Sequence, residues 1–147
     1  MQEGIIRELT LDDYDHIVDL WQRAGLHSLK PHGRDSREAV ARQLDSGVQT
    51  ILGLELDGVL VGAVIATQDS RKGWINRLVV ASAFRGRGYG ARLMAAAEEA
   101  LRARGMSVIA ALVESDNAAS LALFRKVGYV DSGTGVHYLS KRKSDDA

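Results

Sequence analysis

Val79-Val80-Ala81-Ser82-Ala83-Phe84-Arg85-Gly86-Arg87-Gly88-Tyr89-Gly90-Ala91 joins two kinds of sequence. An apolar run from Ile75 to Val80 enters it, and an Ala/Leu/Glu-rich stretch leaves it from about Gly88. The first has the composition of a strand, the second that of a helix. Three glycines and two arginines lie between them. Glycine lets backbone come close to a ligand, because no Cβ intervenes. A helix N-terminus offers unpaired N–H groups and a partial positive charge. Strand, glycine turn and helix start together describe a cradle for an anion such as a phosphate or pyrophosphate. A flexible Gly/Arg turn without a ligand is the alternative, and a short glycine motif alone does not separate the two.

The flanks narrow the choice. Upstream, Gln49 to Leu56 and Val59 to Thr67 are β-rich and split by Asp57-Gly58, a two-residue hairpin signal. Gln68 to Gly73 is a longer turn, and Trp74 to Val80 the next strand, so these runs form an antiparallel meander. Before them, Ile5 to Leu9 is a first strand, and Thr10 with Asp13 marks a helix start. Leu11, Tyr14, Ile17, Val18 and Trp21 recur at helical spacing up to Gly25. Leu26 to Arg34, with the only proline, is a loop, and Ser36 caps a second helix. Downstream, the helix after the cradle extends to about Arg104, with Leu93, Ala97 and Leu101 on its apolar face. Met106 to Val113 is continuously apolar, as a buried parallel strand would be. A strand–helix–strand unit makes Val80 and Val113 parallel neighbours. Asn117 to Val127 is the last helix; Tyr129-Val130-Asp131 begins a strand, and Val136 to Leu139 ends the sheet. The order is β-α-α-β-β-β-α-β-α-β-β. It describes an α/β (α+β) fold with a mixed sheet of about seven strands, an antiparallel meander and a central parallel pair.

The totals fit this plan. The 147 residues suit one domain over 1–147 with one sizeable core, and residues 140–147 are polar enough to fray. Acidic and basic residues balance at 19 each, so no overall field points to nucleic acid. There is no cysteine, which excludes disulfides, thiolate metal sites and a cysteine nucleophile, and fits a cytoplasmic protein. No apolar run reaches membrane-spanning length, so no membrane partner is expected. Met1-Gln2-Glu3-Gly4 lacks the features of a signal peptide. His27 and His32 have no companions at metal spacing, so no metal is expected.

With Arg85-Gly86-Arg87-Gly88-Tyr89-Gly90 after the fourth strand, this order resembles the GNAT superfamily of acyl-CoA-dependent N-acetyltransferases. That family's phosphate motif, Gln/Arg-x-x-Gly-x-Gly/Ala, is matched by Arg85, Gly88 and Gly90. Its second signature follows the fifth strand and reads here Asn117-Ala118-Ala119-Ser120-Leu121-Ala122-Leu123-Phe124-Arg125-Lys126-Val127-Gly128-Tyr129. Leu20-Trp21 and Arg71 resemble one branch of small bacterial members. The resemblance implies acetyl-CoA as acyl donor and a primary amine of a small molecule or peptide as acceptor. Attack would be direct, in a ternary complex, and a homodimer is the oligomer it suggests. Backbone at Leu78, Val79 and Val80 would pair with the pantetheine arm, and amides of Arg85, Gly86, Arg87, Gly88, Tyr89, Gly90 and Ala91 would hold the pyrophosphate. Asn117 and Phe124 would flank the thiol end.

Amine attack on a thioester needs a base for the amine, a donor for the oxyanion and a proton for the leaving thiolate. The family's tyrosine acid matches Phe124 here, and its glutamate bases match Leu112 or lie near Trp74. None of these can titrate usefully, so those roles do not transfer. A lysine amine is only about 0.04% neutral at pH 7, an α-amino group about 10%, so an amine of low pKa needs far less base. The reading is therefore catalysis by positioning, with proton transfer through water. Glu114, Asn76 and Tyr138 are the catalytic candidates; a solvated strand-end carboxylate, an ordinary strand amide and a packing tyrosine are the alternatives. Asn76 alternates with Trp74 and Leu78, and would share their face. Trp21, His27, His32 and Trp74 are candidates for the acceptor pocket, although a tryptophan at helical spacing with Ile17 and Val18 is more often a core residue. Two rivals remain. Gly86-x-Gly88-x-x-Ala91 also fits a dinucleotide-binding fingerprint, but a meander precedes it and too little chain follows for further βαβ units. A module that holds acyl-CoA without catalysis fits the missing acid and base.

Overall fold

In the computed structural model, residues 4–26, 28–131 and 137–147 are described. Strand β1 (Ile5–Glu8) leads through a tight helical turn, Leu11–Asp13, into α1 (Tyr14–Arg23). The entry is a capping box: the Thr10 hydroxyl accepts from Asp12 N–H, and Thr10 N–H donates to Asp13 Oδ2 at 2.9 Å. Arg7 reaches from β1 to Asp13 and, at the same 2.7 Å, to Glu55. Its hydrogen bonds hold the Asp13 carboxyl below the usual carboxylate range. Gly25, in the left-handed region, stops α1. Ser36 then caps α2 (Arg37–Asp45), its hydroxyl accepting from Ala39 N–H.

Strands β2 (Gln49–Leu56), β3 (Val59–Gln68) and β4 (Gly73–Val80) form the expected meander. Asp57 and Gly58, at φ 52° and 77°, make the tight hairpin turn that Asp-Gly favours. Helix α3 (Tyr89–Ala103) crosses to β5 (Ile109–Ala110), which pairs parallel with β4, and α4 (Ala118–Lys126) follows. The sheet order is β1-β2-β3-β4-β5. The mixed α/β architecture is the expected one, with corrections toward its C-terminal side. Among the described residues the sheet has five strands, not about seven. Residues 129–131 and 137–139 are not strands, and Val136, the expected start of the last one, lies outside the described residues. Tyr129 instead turns inward, its hydroxyl donating to Glu98 Oε2 at 2.7 Å, while Val130 and Leu139 are left exposed. The parallel pair is present, but it joins Gly73 to Ile109 and Trp74 to Ala110, not the far ends Val80 and Val113. In the tail, Lys30 Nζ donates to the Asp145 carbonyl at 2.7 Å.

Helices α1 and α2 cover one face of the sheet, around Ile17, Trp21, Val40, Ile51 and Ile65. Helices α3 and α4 cover the other, around Leu54, Val64, Leu93, Ala97, Leu101 and Phe124. Within β4 the side-chain alternation breaks. Ile75, Leu78 and Val80 pack into the α3 layer and Val79 into the α1 layer. Strict period two would have paired Ile75 with Val79. A bulge is the cause: the register passes from Ala63↔Val79 to Ile65↔Asn76, so Arg77 and Leu78 both oppose Val64. Asn76 therefore does not share a face with Leu78, contrary to the simple alternation.

Candidate active site

The turn after β4 has the geometry of an anion cradle. Gly86 and Gly88 sit at φ 78° and 82°. A Cβ on either would meet nothing within 4 Å, so the left-handed backbone alone calls for glycine, and the space beside it is open. Gly88 is the N-cap of α3 and no side chain caps the helix. The first backbone bond back to the cap comes from Arg92 N–H, at 3.2 Å. The amides of Tyr89, Gly90 and Ala91 precede it and open the helix with the positive end of its dipole. Gly90 has a different role in packing, since a Cβ there would lie 3.0 Å from Leu123 Cδ2 on α4.

A cleft of about 1060 Å³ runs from this turn along β4 to the 24–35 loop. It is lined by Leu78, Val79, Val80, Arg85, Gly86, Gly88, Tyr89, Gly90 and Ala91, by Asn117 and Phe124, and by Asn76, Glu114 and Trp21. Its floor is the gap between β4 and β5, whose ladder ends at Trp74 and Ala110. The arginines near the cradle are engaged elsewhere: Arg85 Nε donates to the Val80 carbonyl, and Arg92 to the Gly4 carbonyl. Arg87 lies over the Phe84 ring and does not line the cleft.

Asn117 caps α4, its Oδ1 accepting from Ser120 N–H at 3.1 Å, which leaves its Nδ2 for a ligand. Phe124 is 8% exposed and meets Tyr129 edge to face at 5.0 Å. Burial first, and then the hydrogen bond to Glu98, push the Tyr129 hydroxyl well above the ordinary tyrosine range. Glu114 is exposed at the cleft, its carbonyl accepting from Asn117 N–H. Asn76 donates through Nδ2 to Thr67 Oγ1 at 3.1 Å. Three candidates fall away from the cleft. Trp74 belongs to the paired part of β4, His32 is exposed in the turn before α2, and Tyr138 is 76% exposed. None of the three lines it. His27 lies outside the described residues.

Two residues at the loop end of the cleft were not singled out in the sequence. Arg77, at φ 50°, carries the bulge, a backbone state that costs a non-glycine residue roughly 1–2 kcal/mol. Its guanidinium forks onto both carboxylate oxygens of Asp35, with Nη2–Oδ2 at 2.9 Å, and stacks on the Trp21 ring at 4.7 Å. Asp35 is only 4% exposed. Its Oδ2 also accepts from Lys30 N–H, and its carbonyl accepts from the Tyr14 hydroxyl. The signal available was the adjacent polar pair Asn76-Arg77, which interrupts the apolar alternation of β4.

Residues 7–129 match the profile of the acetyltransferase (GNAT) family. This chain belongs to that family. The GNAT chain is 34% identical over 137 residues to an acetyltransferase of Photorhabdus laumondii, covering 93% of this chain and 94% of that one. It is 31% identical to an acetyltransferase of Sodalis glossinidius, covering 96% of each. Among solved structures it superposes on the aminoglycoside acetyltransferase AAC(6')-Iy, bound there to a bisubstrate analogue, with a TM-score of 0.81. The identity is 18%, over 96% of this chain and all of that one. PaiA N-acetyltransferase of Thermoplasma acidophilum, in complex with coenzyme A, gives a TM-score of 0.79 at 18% identity, covering 91% of this chain and 94% of that one. The GNAT chain is thus an acetyltransferase with a mixed α/β fold. No helix among its described residues is long and apolar enough to cross a membrane.

Proposed function

We propose that the cleft holds acetyl-CoA with its pyrophosphate on the start of α3 and its pantetheine arm in the gap between β4 and β5. The acetyl group then passes to a primary amine entering from the 24–35 loop, by direct attack in a ternary complex. One observation carries this reading. The uncapped N-terminus of α3, behind two left-handed glycines, opens onto the same cleft as the unpaired edge of β4. Anion site and strand edge are what a pyrophosphate joined to an amide-containing arm requires. Asn117 Nδ2 is placed to meet the arm beside Phe124.

Proton transfer is the weak part of the machinery. Phe124 has no proton to give, and Leu112, 67% exposed, has no group to accept one. Glu114 is the carboxylate at the cleft, and the Oδ1 of Asn76 is free to orient an amine or a water. Positioning then does most of the work, and the reaction favours amines of low pKa. The missing acid and base also support a second reading, a module that binds acyl-CoA without turnover.

One screen separates them. Thiol release from acetyl-CoA is followed with α-amino acids, an alanine-terminated peptide, polyamines and an aminoglycoside. Two structural neighbours suggest part of this panel: AAC(6')-Iy and a ribosomal-protein-alanine N-acetyltransferase of Brucella melitensis, with a TM-score of 0.76. Turnover with one class, highest for its least basic member, supports the enzyme. Acetyl-CoA binding without thiol release across the panel supports the module. In the active case, Glu114→Gln should lower kcat about tenfold or more while acetyl-CoA binding is kept; an unchanged kcat dismisses Glu114.

A further inference from the structure

The Arg77–Asp35 pair sits where the two halves of the cleft meet. Nothing local imposes the left-handed backbone at Arg77: it is neither glycine nor part of a turn, but lies inside β4. What holds it comes from 42 residues away. Asp35 takes both guanidinium nitrogens, and Trp21 of α1 stacks on the same group. Asp35 is itself fixed through Lys30 N–H and the Tyr14 hydroxyl, and Ser36 beside it caps α2. Ser28 adds its carbonyl to Arg77. The anchor is therefore the acceptor-side loop together with the starts of both flanking helices.

The bulge in turn shapes the gap. The β4–β5 ladder pairs Gly73 with Ile109 and Trp74 with Ala110. Continued without interruption, that register would set Arg77 beside Val113 and close the gap. The bulge begins three residues after the last paired position, moves Leu78 to the α3 layer, and leaves the gap open.

We propose that Asp35 and Arg77 are a positioning pair: through them the 28–35 loop holds the β4 bulge, and so fixes where the thioester end of bound acetyl-CoA lies. This rests on the reading of the cleft as an acetyl-CoA site. The pair does not touch the pyrophosphate cradle, which is built from the 85–91 backbone. It therefore governs one half of the cofactor and not the other. It also links acceptor loop and donor strand, so that ordering the loop improves the seat of the acyl group.

The test uses two probes on the full chain: acetyl-CoA, which spans cradle and bulge, and 3′-phospho-ADP, which carries only the cradle-binding half. Calorimetric titration is done on wild type, Asp35→Asn and Arg77→Lys. Both variants should lose about tenfold or more in affinity for acetyl-CoA while 3′-phospho-ADP binds within about twofold of wild type. Arg77→Lys keeps the charge but loses the fork and the planar stack, so it tests geometry if Asp35→Asn fails to fold. Equal losses for both probes would reduce the pair to general stability and overturn the proposal. Unchanged acetyl-CoA binding would overturn it as well. If wild type binds neither probe, the acetyl-CoA reading itself falls, and this proposal with it; that outcome is distinct, because it needs no variant.

Discussion

Gly88→Ala separates what the cradle does for folding from what it does for binding. At φ 82° an alanine is strained, but its Cβ meets nothing within 4 Å. The folding cost is thus conformational alone, about 1 kcal/mol, or roughly 2–4 °C in Tm for a chain of this size. Binding should suffer more. A methyl in the open space at Gly88 would crowd a phosphate seated there, and losing one charge-assisted hydrogen bond to a phosphate costs about 1.5–3 kcal/mol, on the order of 10- to 100-fold in Kd. With CoA at about 100 times its Kd, wild type gains about 2.7 kcal/mol, or roughly 5–11 °C. A 100-fold weaker variant at the same concentration gains about 0.4 kcal/mol, or roughly 1–2 °C. Differential scanning fluorimetry with and without CoA reads both numbers in one experiment. Gly90→Ala is the comparator, because its Cβ points at Leu123 of α4 and its φ is not left-handed. It should lower the unliganded Tm and keep most of the CoA shift. If Gly88→Ala kept the full shift, the pyrophosphate would not lie on this helix start.

Three further perturbations probe the scaffold. Arg7 depresses the Asp13 pKa in the folded state, so this stabilisation is present above the unfolded value near pH ~4 and is lost as pH falls through the folded value. The stability gap between wild type and Asp13→Asn in urea should therefore narrow as pH is lowered from about 5 to about 2; a constant gap would refute the linkage. Tyr129 has the opposite sign: its raised pKa favours folding below pH ~10 and is lost as pH rises beyond it. Tyr129→Phe should cost about 1 kcal/mol at neutral pH and flatten the alkaline loss of stability, both visible by circular dichroism. Arg77→Ala strands the buried Asp35 carboxylate and should cost about 3–5 kcal/mol in urea unfolding, and a loss below about 1 kcal/mol would show the pair to be well solvated.

The readable parts of the fold were those set by short-range chemistry. Thr10 and Ser36 cap where their side chains allow, Asp57-Gly58 turns, and Gly88 starts α3 because of its own backbone freedom. The cradle and the second signature were legible for the same reason. The bulge was not, because its cause is a carboxylate in a loop 42 residues upstream, and period-two alternation assumes an unbroken strand. The last strands were misjudged from apolar content alone. Val130 and Leu139 have strand-forming side chains, yet they are 90% and 88% exposed, and no strand pairing among the described residues includes them. Trp74 shows the limit at the site: sequence puts it on the right strand, but only register tells that it lies in the zipped part, before the gap opens.

That gap has a consequence for the protein in the cell. Beyond Trp74, β4 is an unguarded sheet edge with β5 no longer beside it. An unguarded edge exchanges its amide protons, admits proteases and invites a strand from another chain. On the proposed placement the cofactor arm would fill it as a missing strand, so occupancy would also be protection. Those amides of residues 78–80 that face the gap should exchange with solvent fast in the empty protein and slowly once CoA is bound. A fall in the acyl-CoA pool would then both halt turnover and shorten the lifetime of the molecule.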